Sequence, residues 1–208
     1  MANRTRESQR VSDIRADRRT RIASVISTVL GPLPATAALC LAGARHGHGW
    51  LTGLGWGLLA TVLAASAVNA AKLTLPRLQD AQQAERDPYT TTTYMTAATL
   101  AAALASCILK LLPTPHEVAR VTIALLVTLV SVVAINARWR WSNHAAAVTG
   151  GTVLLTAEVG IVGLLMAVPA CLVCWSRLTL GRHDNRELAG GILLGAAVPL
   201  LALLLIGR

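Results

Sequence analysis

Long apolar runs, separated by short polar or charged segments, dominate the 208-residue chain. The runs approach the roughly 20 residues that a helix needs to cross the hydrocarbon core of a bilayer. They lack the period-two alternation of barrel strands, so helices are the structures that satisfy their backbone groups in lipid. We therefore predict an all-α, polytopic transmembrane helical bundle of about six to seven spans. The seven predicted spans are residues 23–43, 50–70, 94–112, 118–137, 145–160, 161–178 and 188–206.

The fifth and sixth predicted spans are short, because they share residues 145–178 with a tight turn near 158–160. In the alternative, 145–168 forms one span and 169–175 becomes an interfacial loop. The two versions differ in a way that matters for function. Only a reversal of the chain brings the polar segments before and after this stretch to the same side of the membrane.

The distribution of basic residues supports the reversal and predicts an orientation. With the N-terminus inside, the inner segments 1–22, 72–93, 138–144 and 177–187 carry 15 Lys or Arg, and the outer positions carry four. Cytoplasmic segments are enriched in Lys and Arg in this way. We predict a basic cytoplasmic tail (1–22) followed by a single transmembrane domain (23–208) in the cell membrane.

The composition also narrows the class of protein. The chain is 54% hydrophobic and 14% charged, with a net charge of +9. Because the basic residues lie at the ends of apolar runs, this charge indicates membrane topology and no nucleic-acid partner. A transporter is disfavoured because the interior of the predicted spans shows no paired ionisable residues, and Glu158 is predicted to reach the outer interface rather than a polar contact.

Several conspicuous residues have structural interpretations. We interpret the glycines after residue 187 as small-residue helix packing, and the charged residues between 181 and 187 as a solvated loop. The cysteines all fall in predicted spans, where they are small apolar packing residues, and the pair at 171 and 174 has no partners for a zinc site. The residues concerned are Gly190, Gly191, Gly195, Arg182, Asp184, Arg186, Cys40, Cys107, Cys171 and Cys174.

A second group of polar residues lies at the two ends of the predicted hairpin. Ser142 and His144 precede it, and Arg177, His183 and Glu187 follow it. An arginine offers a planar fork for phosphoryl oxygens, one histidine can attack phosphorus, and a second can protonate the leaving alkoxide. A glutamate four residues from a histidine shares its helix face and can fix its tautomer. These are the groups that hydrolysis of a phosphate ester requires, and they lack the tight spacing of metal ligands.

The spacing of these residues resembles the type 2 phosphatidic acid phosphatase superfamily of membrane lipid phosphatases. That family carries Lys-x6-Arg-Pro, then Pro-Ser-Gly-His, then Ser-Arg-x5-His-x3-Asp. Here the third motif runs from Ser176-Arg177 through His183 to Glu187, with Glu in place of Asp. The second motif appears as Ser142-Asn143-His144 without its Pro and Gly. The resemblance covers about residues 118–206.

The resemblance implies a role for each of these residues. His183 is the implied nucleophile that forms a phosphohistidine, His144 the general acid, and Glu187 the group that orients His183. The implied phosphate-binding residues are Arg177, Ser142, Ser176, Asn143, Arg140 and Arg138. No metal or other cofactor is required in this mechanism, and the implied substrate is a lipid or prenyl phosphomonoester in the bilayer.

The first motif has no counterpart before Ser142. Arg138 and Arg140, or Lys72 and Arg77 on an inner loop, are the candidates to replace its two cations. Four predicted spans precede Ser142, so the site is expected to face the cytoplasm. The alternative function is a catalytically inactive membrane protein of the same fold that binds anionic lipid or a partner protein. The absent first motif favours this alternative.

Overall fold

The computed structural model describes residues 17–31, 33–45, 49–74, 116–136 and 138–206, with only single residues and short pieces between 96 and 112. All regular structure in these ranges is helical, which confirms the predicted all-α class. Helix α1 covers 17–30, and the other helices are α2 (Leu33–Arg45), α3 (Trp50–Thr74), α4 (His116–Asn136), α5 (Asn143–Val159), α6 (Ala167–Thr179) and α7 (Asn185–Ile206). A 3₁₀ segment, Gly160–Met166, joins α5 to α6.

Four helical stretches are long and apolar enough to cross a membrane: Asp17–Ala42, His116–Asn136, Asn143–Thr179 and Asn185–Ile206. A shorter apolar helix covers Trp50–Leu63. These stretches are those expected of an integral membrane protein. The count of six to seven spans stays a prediction, because only single residues and short pieces of the predicted span 94–112 are described. Most of the tail 1–22 and loop 72–93, including Arg77 and the side chain of Lys72, also lie outside the described residues.

The core joins four helices through alanine, valine and leucine side chains. Ala38 of α2, Ala124 of α4, Leu154 of α5 and Ala202 of α7 belong to one buried cluster. Many other large apolar side chains point outward, such as Leu205 of α7, which is 86% exposed. Exposed large apolar residues are typical of membrane helices, because lipid solvates the outer face, and the alanines of the core let helices approach closely.

The chain reverses at Gly160. This residue has φ 70° and ψ −152°, a backbone conformation that glycine reaches without steric cost, and it ends α5. In a straight helix, Thr152 and Met166 would be about 21 Å apart along the axis. Here the Thr152 hydroxyl lies 3.4 Å from the Met166 carbonyl oxygen, so the two legs run side by side. The predicted turn near 158–160 is therefore present, and the single-span alternative for 145–168 is wrong.

Glycines let α7 pack directly against α5. A methyl group built on Gly191 would lie 2.4 Å from the carbonyl oxygen of Ser142, and one on Gly195 would lie 2.3 Å from that of Ala146. The indole ring of Trp141 fills the equivalent space over Gly190. The interpretation of these glycines as helix-packing residues is confirmed, and this packing sets the start of α5 beside the start of α7.

Candidate functional site

Helices α5 and α7 begin side by side at one end of the bundle. Ser142 is the N-cap of α5, and its side-chain oxygen accepts a hydrogen bond from the amide of Ala145 at 3.4 Å. The Ser142 amide donates to the Glu187 carbonyl oxygen at 3.0 Å. A main-chain hydrogen bond therefore joins the segment around Ser142 to the segment around Glu187, 45 positions apart in the sequence.

A capping box starts α7. The Glu187 amide donates to Oδ1 of Asp184 at 2.8 Å, and the Asp184 amide donates to Oε2 of Glu187 at 3.3 Å. This reciprocal pair satisfies two helix N-terminal amides and fixes the entry of the chain into α7. Asp184 is thus a capping residue, and its interpretation as part of a solvated loop was incomplete. The pattern Asp-x-x-Glu before an apolar run is a signal that sequence reasoning missed.

His183 lies against Glu187. Its Nδ1 is 2.9 Å from Oε2 of Glu187, and their side chains are 16% and 22% exposed. Arg140 reaches the same carboxylate, with its Nε 3.9 Å from Oε1. The contact with Nδ1 orients the imidazole and makes Nε2 the nitrogen for any reaction. The expected orienting partnership between Glu187 and His183 thus has a matching geometry.

A turn at the end of α6 brings Arg177 and His183 to the same end. Gly181 has φ 60°, the Arg182 amide donates to the Arg177 carbonyl oxygen at 3.2 Å, and the Gly181 amide donates to that of Leu178 at 3.0 Å. These are the two hydrogen bonds of a Schellman motif, in which a left-handed glycine ends the helix. The five residues that separate Arg177 from His183 form this turn together with the end of α6.

Helix α1 contributes to the site, although no pattern in the sequence predicted this. The Ser27 hydroxyl accepts a hydrogen bond from Nη1 of Arg177 at 3.5 Å, with Arg177 only 2% exposed. One turn later, a methyl group built on Gly31 would lie 3.9 Å from Cδ2 of His144. Because Ser27 and Gly31 share a helix face, Arg177 and His144 flank neighbouring positions of α1. The residues before 118 therefore do more than the resemblance implied.

The remaining predicted phosphate-binding residues differ in their availability. The Ser176 hydroxyl is fully buried and donates to the Val173 carbonyl oxygen at 2.7 Å, and its expected role in phosphate binding stays a prediction. Asn143 accepts a side-chain hydrogen bond from Asn136, which joins the end of α4 to the start of α5. Arg138 is exposed beside this joint, and its amide donates to the Ile135 carbonyl oxygen at 2.9 Å.

Helix termini contribute partial charges at this end of the bundle, where Asp184 and Glu187 already cap α7. The amino termini of α5 and α7 lie together here, and each carries a partial positive charge that favours anions. The carboxyl terminus of α6 has the opposite sign, but Arg177 lies in its last turn and offsets it. Arg140 adds an exposed cation, and its side chain is 56% exposed. The arrangement suits an anion that meets two helix termini and one or two guanidinium groups.

The other end of the hairpin holds a buried ion pair that sequence reasoning missed. Arg120 Nη2 lies 2.8 Å from Oε1 of Glu158, and their side chains are 15% and 1% exposed. Glu158 therefore makes a polar contact, the alternative to the predicted position at the interface, and the expectation that the interior of the predicted spans lacks paired ionisable residues is wrong. The pair joins α4 to α5. Its two residues are 38 positions apart in the sequence, so no local spacing pattern predicted their contact.

Comparison with known proteins identifies no relative of this chain. No protein-family model, curated protein or solved structure matches this chain. Among the residues that the structure describes, no group of three or more His, Cys, Asp and Glu side chains is arranged to hold a metal ion.

Proposed function

We propose that this protein is an integral membrane phosphatase that hydrolyses a lipid or prenyl phosphomonoester through a phosphohistidine. The observation that carries the proposal is the hydrogen bond from the Ser142 amide to the Glu187 carbonyl oxygen. It supports a single site, because it joins the start of the segment with His144 to the residue that contacts His183. The resemblance of these segments to the type 2 phosphatidic acid phosphatases supplies the reaction class.

In the proposed first step, Nε2 of His183 attacks phosphorus as the lipid oxygen leaves. The nitrogen–phosphorus bond forms, the oxygen–phosphorus bond breaks, and His144 gives its proton to the leaving alkoxide. In the second step, water attacks phosphorus and gives a proton to His144, and the nitrogen–phosphorus bond breaks to release phosphate. Glu187 holds Nδ1 of His183 throughout, and stabilises the positive charge on the ring.

Charge at the site favours the transition state in two ways. Arg177 and the paired amino termini of α5 and α7 are fixed before substrate binds, so they need little reorganisation to meet negative charge. Arg140 contacts Glu187 from the exposed side, which supports it as a replacement for one cation of the first motif. Arg138 is exposed nearby and is a second candidate.

The proposal includes an orientation. The asymmetry of basic residues puts the N-terminus and the site on the cytoplasmic face, with about six to seven spans in all. A site on that face would act on a lipid phosphate accessible from the cytoplasmic leaflet.

The test is phosphate release by the purified full chain from a panel of phosphatidic acid, phosphatidylglycerol phosphate, prenyl phosphates and a prenyl-linked ribose phosphate. We expect turnover of at least one substrate, its loss in His183→Ala, and a fall of about 10²–10⁴-fold in His144→Ala. His116→Ala is the matched control, because His116 is an exposed histidine at the start of α4, the end opposite Asn136 and the site. In sealed vesicles, substrate should turn over only when it is presented to the cytoplasmic face.

Substantial turnover in His183→Ala would disprove the nucleophile assignment, and turnover only from the outer face would disprove the orientation. The second candidate function is binding of anionic lipid without hydrolysis. It is favoured by the engagement of Glu187 with Asp184 and Arg140, and by the burial of Arg177. Vanadate, which mimics the pentacoordinate phosphoryl state, separates the two. It should raise the melting temperature of a catalytic site but leave that of a lipid-binding surface almost unchanged.

A further inference from the structure

One exposed face of α6 forms a shallow, open apolar depression, which we call the groove. The groove has a volume of about 420 Å³ and is lined by Ala167, Val168, Cys171, Leu172 and Trp175. These positions recur at the spacing of one helix face and extend about 12 Å along the axis. Val168 is 63% exposed and Leu172 is 40% exposed. The groove is therefore open to the surroundings of the bundle along its length.

The end of the groove nearest the site carries a cation. The guanidinium carbon of Arg19, in α1, lies 5.7 Å from the centroid of the Trp175 ring. The same ring lines the groove, so the cation and the apolar surface meet at one side chain. Arg177 follows two positions later and is hydrogen-bonded to Ser27 of the same α1 helix.

From this combination we infer that the groove holds a hydrocarbon chain of an anionic lipid whose headgroup lies against Arg19. The order of groups along α6 matches the order of groups in such a lipid. Apolar side chains run from Ala167 to Trp175, and the guanidinium of Arg19 follows at the Trp175 end. Bulk lipid or a second copy of the chain would require only the apolar part and would give no role to the cation at its end.

The inference rests on the proposed function in one respect, since the bound lipid would be the substrate. It adds two specificity-determining features to the reaction: a chain-length requirement set by the groove, and a charge requirement set by Arg19. It also gives α1 a contact with substrate, in addition to its hydrogen bond with Arg177.

The experiment uses phosphatidic acid with a photoreactive diazirine on its acyl chain, in nanodiscs that contain the full chain with His183→Ala, so that no turnover is needed. Cross-links mapped by mass spectrometry should concentrate on 167–175. Ala167→Trp places an indole ring in the groove and excludes the acyl chain from it. Cross-linking to 167–175 should therefore fall by about tenfold or more. Ala134→Trp is the matched control, since Ala134 is an exposed alanine on the lipid-facing side of α4.

Arg19→Gln tests the headgroup contact. It should lower cross-linking by phosphatidic acid about fivefold, the effect of one cation near an anionic lipid surface, and leave cross-linking by an uncharged diacylglycerol probe unchanged. Cross-links spread evenly over exposed faces, unaffected by Ala167→Trp, would overturn the inference even if the wild-type protein releases phosphate. Groove-specific cross-links without phosphate release from any substrate would uphold the inference and overturn the proposed function.

Discussion

The two ends of the α5–α6 hairpin both hold charged side chains, but they differ in exposure. At the site end, Arg140 is 56% and Glu187 22% exposed, and the carboxylate is shared among three partners. At the far end, Arg120 and Glu158 form one close pair that is 15% and 1% exposed. A reaction requires groups that a substrate can reach, so only the first cluster is suited to chemistry. The second cluster is suited to stabilising the contact between α4 and α5.

The backbone around the two clusters of charged side chains also differs. The site end combines two helix N-caps, a Schellman turn and a main-chain hydrogen bond between segments. These fix the frame while side chains such as His183 remain partly accessible. At the far end the hairpin turns at Gly160, and the charged side chains of Arg120 and Glu158 are buried. We expect substitutions at the far end to act on stability, and those at the site end to act first on activity.

The largest effect on stability is expected from breaking the far-end pair. Glu158→Ala leaves the Arg120 guanidinium buried without its carboxylate, which should cost about 3–5 kcal/mol of unfolding free energy. Replacing both residues, as in Arg120→Met with Glu158→Leu, removes both charges and should recover most of that loss. Unfolding in detergent, followed by circular dichroism, measures both variants.

A double variant as unstable as Glu158→Ala would contradict this interpretation, because the cost would then come from packing alone. Phosphate release, normalised to folded protein, should be nearly the same in all of these variants. A specific loss of activity would instead mean that the far end communicates with the site.

The glycine contact between α5 and α7 should have an intermediate effect. Gly191→Ala would put a methyl group 2.4 Å from the Ser142 carbonyl oxygen, so the two helices must separate at the site. Overpacking of this kind costs about 1–3 kcal/mol, and it should also lengthen the Ser142–Glu187 hydrogen bond. Gly55→Ala is the matched control, because a methyl group there meets nothing within 4 Å. Equal stability of the two variants would show that the close contact is not required.

Local patterns in the sequence were sufficient to predict the hairpin and its packing. The length of the apolar stretch 145–178 and the position of Gly160 predicted a reversal, and the glycines after Glu187 predicted a close helix contact. Both follow from short-range rules: a helix has a minimum length to span lipid, and glycine permits positive φ and close approach. The capping box formed by Asp184 and Glu187 could have been recognised in the same way.

Contacts between distant segments could not be predicted in this way. A serine in an apolar helix is compatible with many environments, so nothing in the sequence assigned Ser27 to Arg177, 150 positions away. The same holds for Arg120 and Glu158, where each charge alone suggested an interface. The hydroxyl of Ser176 illustrates the converse, since its place in a motif did not reveal that it donates to Val173.

The smallest of the three effects on stability is expected for substitution of Asp184. The Asp184 variants separate two roles of the site end, capping of α7 and orientation of His183. Asp184→Ala removes the cap of α7 and should cost about 1 kcal/mol, whereas Asp184→Asn should keep most of the stability because asparagine also caps well. If Glu187 serves chiefly to orient His183, turnover per folded molecule should change little in Asp184→Ala, since the contact between Nδ1 and Oε2 does not require the cap. A parallel fall in turnover and stability, restored together by Asp184→Asn, would instead mean that the capping box itself holds His183 in place. Unfolding measurements and phosphate release on the same preparations distinguish these outcomes. They also test whether the site end is a reactive cluster in a rigid frame, or a structural cap comparable to the buried pair at the far end.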